Sequence, residues 1–206
     1  APTRGSVVVD ATTGAFTYSP NAAGRHAAAA NGATTADLTD TFTIAVDDGH
    51  GGTTLKTITV AISPANTVPT VVAASSVAEP TTGAIAGTLT ATDADNDTVA
   101  FTAISSPSKG TLTFNPSGAF VYTPNAVARH AASAAGATAA DLTDTFTIAV
   151  DDGHGGTTLK TITVAISPAN TAPTVVAAAS VANPSTGLIA GTLTATDADN
   201  DTVAFT

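Results

Sequence analysis

The sequence has no cysteine, methionine or tryptophan, and aromatic residues make up only 4% of its 206 residues. The absence of cysteine excludes disulfides, thiolate metal sites and a cysteine nucleophile. Basic residues are scarce, 6 against 16 acids, and a net charge of -10 argues against a nucleic-acid partner, whose binding needs a basic surface. No apolar run approaches the roughly 18 residues of a membrane helix, so we expect no membrane insertion in this segment.

The residues that are present favour a packed domain without catalytic machinery. Hydrophobic residues reach 43%, which is enough for a core and argues against wholesale disorder. Serine and threonine are abundant, but no Gly-x-Ser-x-Gly motif or comparable arrangement with histidine occurs, and no glycine loop could cradle a phosphate. We therefore expect that the chain is not an enzyme.

An internal repeat organises the chain. Residues 36–67 recur letter for letter at 140–171, an offset of 104 residues, and the segment 85–102 recurs at 189–206. The period is that of a whole domain. The proline-containing segments "SPANTVPT" and "SPANTAPT" indicate module boundaries. They predict three parts: the last two thirds of a module (1–67), a complete module (68–171) and the first third of another (172–206).

The two incomplete modules, 1–67 and 172–206, have two interpretations. The chain is a slice of a longer array, or the partial ends of neighbouring chains complete one another.

Each module has the pattern of an all-β domain. Val, Thr, Ile and Phe alternate over short runs bounded by Gly, Pro, Asp and Asn. Seven such runs predict a seven-stranded Greek-key β-sandwich. The predicted strands are 69–77, 84–92, 97–104, 111–115, 118–123, 144–150 and 157–166. The last two have largely alternating apolar residues, as strands with one buried face require: Phe146, Ile148 and Val150, then Leu159, Ile162, Val164 and Ile166. An alanine-rich segment before the sixth strand predicts a short helical insert that ends at Gly136.

Acidic residues gather in two loops of the complete module, "DADND" and "DDGHGG". Alternating strand directions bring both loops to the end that faces the preceding module and its linker residue, Asn66. Crowded carboxylates repel one another, and a hard divalent cation such as Ca²⁺ would relieve that repulsion. Aspartates that only cap their own turns are the alternative. The loop residues are Asp93, Asp95, Asp97, Asp151 and Asp152.

The histidines occupy two positions of the repeat, where a surface role is favoured and the alternatives are a ligand role for His50 and His154 and partner binding for His26 and His130. His50 and His154 follow a double aspartate in a glycine-rich turn, where a solvated position is favoured. His26 and His130 each follow an arginine and are expected on the polar face of the helical insert.

The repeat resembles a known family. The segments "LTATDADNDTVAFTA", "FTIAVDDGHGGTTLKTITVAISPANTAP" and "KGTLTFNPSGAFVYTP" are similar to the cadherin-like and immunoglobulin-like repeats of large bacterial surface or secreted adhesins. The resemblance implies calcium between modules. Its implied ligands are Asp93, Asp95 and Asp151, with Asn66 from the linker and Asp37 or Asp40 from the base of the preceding module.

Two functions from different classes follow. The first is an extracellular structural extender on a bacterial surface, whose partners are neighbouring modules of the same protein. The second is a filament subunit in which head-to-tail copies complete each other by strand complementation. That assembly would join Asp197, Asp199 and Asp201 of one chain to Asp47 and Asp48 of another. A module that binds sugar or a receptor has no positive support in the sequence.

Overall fold

The protein is described by a computed structural model that covers residues 1–75 and 77–206. Residues 1–67 form two antiparallel hairpins, β1–β2 and β3–β4, with two short helices between them. Their elements are β1 (Gly5–Val9), β2 (Phe16–Pro20), α1 (Ala22–Ala27), α2 (Thr35–Leu38), β3 (Thr39–Asp47) and β4 (Thr53–Ala61).

A two-sheet sandwich follows. One sheet has the strand order β5-β6-β9-β8 and the other β11-β10-β7, and the described pairings are antiparallel. This four-and-three division is that of an immunoglobulin-like sandwich, so the predicted all-β fold is confirmed. The elements are β5 (Thr70–Ser75), β6 (Ile85–Thr92), β7 (Ala100–Ala103), β8 (Gly110–Phe114), β9 (Ala119–Pro124), α3 (Ala126–Ser133), β10 (Thr143–Asp151) and β11 (Thr157–Ala165).

The core lies between the two sheets. In β10, the side chains of Phe146, Ile148 and Val150 alternate with threonine and alanine and are 0–1% exposed. Phe146 meets Phe120 of the opposite sheet edge-to-face, with ring centroids 5.3 Å apart. This alternation is the period-two pattern that a strand with one buried face requires.

Leu159 departs from the buried face of β11. The sequence analysis grouped it with Ile162 and Val164, but its side chain is 63% exposed. Leu159 lies three positions before Ile162, an odd number, and successive residues of a strand face opposite sides. The other face of β11 therefore carries Leu159.

The third strand is shorter than predicted. The pattern favoured 97–104, whereas β7 spans only Ala100–Ala103. Asn96 has φ 66°, in the left-handed region, which ends the extended conformation of the preceding segment. The acidic turn thus takes up the residues that the pattern gave to the start of the strand.

The alanine-rich insert is helical, as the composition indicates. Asn125 caps α3 by accepting the N–H of Ala128 at 2.8 Å. The buried alanines of α3 pack against Ile166. The helix ends at Ser133 because Ala134 is extended (ψ 141°), so the prediction that Gly136 ends it is wrong.

A last hairpin follows the sandwich. It pairs β12 (Thr174–Ala179) with β13 (Gly191–Thr196), and Thr174 lies opposite Thr196. The same register joins Thr70 to Thr92 in the sandwich. Nearly identical sequences therefore give the same hairpin in both places.

Candidate metal centre at the module junction

The first acidic loop connects β6 to β7. The Oδ1 atom of Asp93 accepts the backbone N–H of Asp95 at 2.8 Å and that of Asp97 at 3.3 Å. One carboxylate oxygen therefore closes the turn, as ordinary turn chemistry predicts. The other oxygen, Oδ2, remains available.

The second acidic loop connects β10 to β11. The Oδ1 atom of Asp152 accepts the backbone N–H groups of His154 at 2.8 Å and Gly156 at 2.9 Å. Asp151 uses both of its oxygens within the same turn, one of them for the hydroxyl of Thr157 at 2.8 Å. Asp151 is thus committed to the turn, whereas Asp152 presents Oδ2 to its surroundings.

The two loops meet. Asp93, Asp97 and Asp152 each offer an oxygen, and these atoms lie within 4.8 Å of one another. The side chains of Asp97 and Asp152 are only 6% and 2% exposed. Among the described residues, no lysine or arginine forms an ion pair with any of the three. The sandwich topology therefore concentrates negative charge where water screens it poorly.

The linker closes over this cluster. Asn66 donates its side-chain amide to Asp152 Oδ2 at 2.7 Å, and the backbone N–H of Thr67 donates to Asp95 Oδ2 at 2.8 Å. Two buried oxygens, Asn66 Oδ1 and Asp93 Oδ2, have no hydrogen-bond partner in the described part of the chain. A buried polar atom without a partner is costly, so these two oxygens point to a ligand.

Hydrogen bonds keep Asp152 ionised. Burial by itself raises the pKa of Asp152, but the Asn66 amide and the backbone N–H groups of His154 and Gly156 outweigh burial. The pKa of Asp152 therefore lies below its ordinary value, and the carboxylate is charged at neutral pH.

Two histidines also reach the cluster. Nε2 of His26, at the end of α1, lies 2.9 Å from Asp97 Oδ2, and Nδ1 of His154 lies 3.1 Å from the same oxygen. The two imidazole rings stack with centroids 4.1 Å apart. The hydrogen bond to Asp97 raises the pKa of His26 above its usual value.

A backbone hydrogen bond joins the same two modules. The N–H of Asn31, beyond α1, donates to the carbonyl of Gly153 at 2.7 Å. The helical insert of one module thus contacts the apical loop of the next.

A second junction repeats half of this geometry. Thr171 N donates to Asp199 Oδ2 at 2.7 Å, as Thr67 does to Asp95. Nε2 of His130 lies 2.9 Å from Asp201 Oδ1. Asp197 accepts the N–H groups of Asp199 and Asp201 and closes the turn. No "DDGHGG" loop of the described chain meets this second acidic loop.

Asp37 and Asp40 do not join the cluster, contrary to what the resemblance implied. Asp37 accepts the backbone N–H and the hydroxyl of Thr34 and forms an ion pair with Arg4 at 3.0 Å. Asp40 is 5% exposed and accepts the N–H of Arg4 at 2.7 Å and the hydroxyl of Tyr18 at 2.9 Å. Both carboxylates are used inside their own module, so neither is a free ligand.

Asp144, the repeat equivalent of Asp40, makes the same contacts. It accepts the N–H of Lys109 at 2.7 Å and the hydroxyl of Tyr122 at 3.2 Å. This repetition identifies the buried aspartate as part of the module's own framework.

Asp47 and Asp48 occupy the apex of the first module. They form the same turn as Asp151 and Asp152, with Asp48 accepting the N–H of His50 at 2.8 Å. Both are exposed, and no second acidic loop of the described chain approaches them.

The residues at the complete junction suit a hard cation. Calcium takes six to eight oxygen ligands from carboxylates, amide and backbone carbonyls, and water. Asp93 and Asn66 each supply a buried oxygen to which no described residue donates a hydrogen bond, and Asp97 and Asp152 supply further carboxylate oxygens beside them. The donor set therefore fits calcium, although Asp37, Asp40 and Asp151 make contacts within their own modules instead.

Fold and junction together define the chain as immunoglobulin-like β-sandwich modules in tandem. Residues 66–168 match the family of bacterial cadherin-like domains. Because the match covers half of the chain, the chain belongs to this family. Membership indicates a bacterial extracellular module of structural or adhesin-like type. Comparison with curated proteins gives no match.

None of the described helices combines the length and the apolar character that are needed to cross a bilayer.

The sequence patterns do not reveal the positions of His26 and His154 at the junction. They favour the polar face of the helical insert for His26 and a solvated turn for His154, whereas the two side chains are only 23% and 24% exposed. The sequence contains one signal that these two histidines belong together. The chain has four histidines, and they occupy just two positions of the repeat, one in the insert and one in the apical loop.

Proposed function

We propose that the chain is a non-enzymatic structural extender. Its tandem β-sandwich modules, stabilised by calcium at their junctions, would hold part of a cell-surface or secreted adhesin-like protein away from a bacterial cell. The partners of each module are the neighbouring modules of the same protein. Strands of about eight residues rise roughly 25 Å, so each module adds at least that length to a rod.

One observation carries the proposal. Among the described residues, Asn66 Oδ1 and Asp93 Oδ2 are buried at the complete junction without a hydrogen-bond partner, and Asp93 converges with the carboxylates of Asp97 and Asp152. These groups come from both acidic loops and from the linker, Asn66. A cation that binds there is held by segments on both sides of the module boundary.

The chain's own residues prepare the site. Asp93 and Asp152 are each fixed by backbone N–H groups at Oδ1, which leaves Oδ2 directed away from the turn. Asn66 ties the linker to Asp152. Bound calcium supplies the positive charge that neutralises these carboxylates. The linker is thereby held against the apex, and bending between modules is restricted.

Thermal unfolding tests the calcium site. A ligand that binds only the folded state raises its stability. For an affinity of about 10⁻⁴ to 10⁻³ M, typical of extracellular modules, about 10 mM calcium adds roughly 1.4–2.7 kcal/mol. For a module of this size we therefore expect Tm to rise by about 5–15 °C relative to excess chelator.

A matched pair of variants locates the effect. Asp152→Asn removes a carboxylate of the complete junction, whereas Asp48→Asn changes the repeat-equivalent residue on the free apex. The calcium-dependent rise in Tm should disappear in the first and persist in the second. An equal Tm with calcium and with chelator in the unsubstituted chain would refute the calcium site.

A second function, filament assembly, is favoured by exposed strand faces. Val175 and Leu193 of the last hairpin are 53% and 54% exposed. In the sandwich, β6 pairs with β9 and places Ile85 opposite Tyr122. By the repeat offset, the same register would pair Ile189 of one copy with Tyr18 of another. Head-to-tail copies would then bury both faces.

Light scattering over a range of protein concentrations decides between the two functions. Assembly predicts a mass that grows with concentration and that Ile189→Lys abolishes. Val181→Lys is the control, because Val181 is 92% exposed and lies outside the strands. A molar mass equal to that of the monomer at all concentrations would reject filament assembly and leave the structural extender as the proposed function.

A further inference from the structure

A second group of metal-ligand type lies at the complete junction. His26, Asp97 and His154 each offer one ligand atom, and these atoms lie within 4.8 Å of one another. His26 belongs to the helical insert of one module, and the other two belong to the acidic loops of the next. The group therefore spans the module boundary, and His26 and Asp97 are 71 positions apart in the sequence.

The donor atoms differ from those of the calcium cluster. Two imidazole nitrogens and one carboxylate oxygen are the ligands of borderline divalent cations such as Zn²⁺, Ni²⁺ and Co²⁺, whereas calcium takes oxygen. Three protein ligands leave further coordination positions for water. The three side chains are 6–24% exposed, so they are partly shielded and still accessible to an ion in solution.

The surrounding contacts hold the three ligands in place. The backbone N–H of His154 is bonded to Asp152, and that of Asp97 is bonded to Asp93. The hydrogen bond between Asn31 and Gly153 fixes the segment beyond α1 against the apical loop. Fixed ligands of this kind bind a metal more tightly because less ordering is needed on binding.

The second junction supplies an independent observation. His130 and Asp201, the repeat equivalents of His26 and Asp97, are again 2.9 Å apart. The Nδ1 atom of His130 is buried and has no hydrogen-bond partner in the described part of the chain. His50, the equivalent of His154, is exposed on the free apex. Half of the group therefore forms wherever an insert meets an acidic loop, and the second histidine completes it only at a full junction.

We propose that His26, Asp97 and His154 form a binding site for a zinc-class divalent cation that joins adjacent modules. The site is distinct from the calcium cluster and shares only Asp97 with it. A carboxylate has two oxygens, so Asp97 can serve both ions. A bound zinc-class ion links the helical insert directly to the next module, at a place that the linker does not reach.

Titration of the full chain with Co²⁺ tests the site, because this ion reports nitrogen and oxygen coordination by its visible absorption. We expect one equivalent to bind and Zn²⁺ to displace it. His26→Gln and His154→Gln should each weaken binding by about tenfold or more, since each removes a direct ligand. His50→Gln should leave binding unchanged, because His50 has the same local sequence as His154 but no junction.

Each outcome has a defined meaning. Binding that is absent below millimolar Co²⁺, that persists in both junction variants or that is lost in His50→Gln overturns the proposal. Circular dichroism of each variant shows whether it is folded, and Asp97→Asn gives a third, independent removal of a ligand. The calcium-dependent rise in Tm should persist in His26→Gln. A missing calcium effect together with normal Co²⁺ binding would therefore reject the calcium site alone.

Discussion

Asn66 donates its side-chain amide to Asp152 across the module boundary, with 2.7 Å between Nδ2 and Oδ2. Asn66 belongs to the linker, and Asp152 belongs to a loop 86 residues further along the chain. The amide neutralises part of the charge of a carboxylate that is almost fully buried. Without metal, this contact and the hydrogen bond from Thr67 N–H to Asp95 therefore hold the linker against the apex.

Asn66→Asp should strengthen the dependence of stability on calcium. In excess chelator the variant loses a hydrogen bond to a charged group and gains a like charge, which we expect to cost about 2 kcal/mol. With calcium a charged carboxylate replaces the neutral amide oxygen as a ligand, so the calcium-dependent rise in Tm should exceed that of the unsubstituted chain. Thermal unfolding in calcium and in chelator measures both effects.

Asn170→Asp is the control, because Asn170 occupies the equivalent position at the junction that lacks a partner loop. It should change Tm little under either condition. An equal response of the two variants would mean that Asn66 acts only within the linker.

Gly156→Ala should loosen the same junction. A Cβ at Gly156 would clash with Asp152 Oδ2 and lie 2.8 Å from Asn66 Nδ2. Gly52→Ala is the control, since its Cβ would clash with Asp48 in an identical turn but would meet no linker. We expect the calcium-dependent rise in Tm to fall only in Gly156→Ala. Equal loss in both variants would place the effect in the turn instead of the linker.

The fold follows closely from the strand pattern. Alternation in β10 predicted the burial of Phe146, Ile148 and Val150, because a strand's two faces are set by local geometry. The alternating pattern alone could not place the start of the third strand correctly. The left-handed conformation of Asn96 depends on hydrogen bonds within the acidic turn, and those bonds compete with strand pairing.

The junction was predictable only in part. Strand direction brings the two acidic loops to the same end, and that topology sufficed to place Asp93, Asp97 and Asp152 together. The position of His26 depends on how the helical insert lies against the next module, and no periodicity carries that information. Asp40 misled the sequence analysis because burial by Tyr18 and backbone N–H groups is a tertiary effect.

Val150→Ala and Val46→Ala should differ sharply, although both valines lie in the sequence "FTIAVDD". Val150 is 0% exposed in the sandwich core, and Val46 is 63% exposed in the first module. Loss of two buried methyl groups costs about 2 kcal/mol, whereas the exposed site should cost close to zero. Urea unfolding measures the difference. Similar costs would show that another copy of the chain covers Val46 in solution.

Asp144→Asn should destabilise the sandwich without affecting metal binding. Asp144 is 5% exposed and accepts the N–H groups of Ser108 and Lys109 and the hydroxyl of Tyr122. Asparagine would place an amide against these donors, at a cost of about 2–4 kcal/mol. Urea unfolding in chelator measures this cost.

Asp10→Asn is the control for that variant. Asp10 is exposed, and the equivalent turn of the next module already has an asparagine, Asn115, whose side chain accepts the N–H of Ser117 at 2.8 Å. Its free energy of unfolding should change by less than about 0.5 kcal/mol. A comparable loss in both variants would show that the buried site is not special.

Stability should fall in acid, between about pH 4 and pH 2. Burial by itself raises the pKa of Asp40, but hydrogen bonds from Arg4, Thr3 and Tyr18 lower it to about 2. An unfolded aspartate titrates near 3.9, so the unfolded state binds more protons in this range and the free energy of unfolding rises with pH. The stabilisation is complete above about pH 4 and is lost as the pH falls through the folded pKa.

Asp40→Asn should therefore flatten the acid dependence of unfolding, measured as the urea midpoint in chelator from pH 2 to pH 7. It should remove only part of the slope, because hydrogen bonds from Thr82 lower the pKa of Glu79 to about 2 as well. The midpoint above pH 5 should drop in the variant, since the stabilising carboxylate is absent at every pH. An unchanged slope would show that the pKa of Asp40 does not fall on folding. Either its hydrogen bonds are already present in the unfolded state, or its carboxyl group is protonated in the folded state.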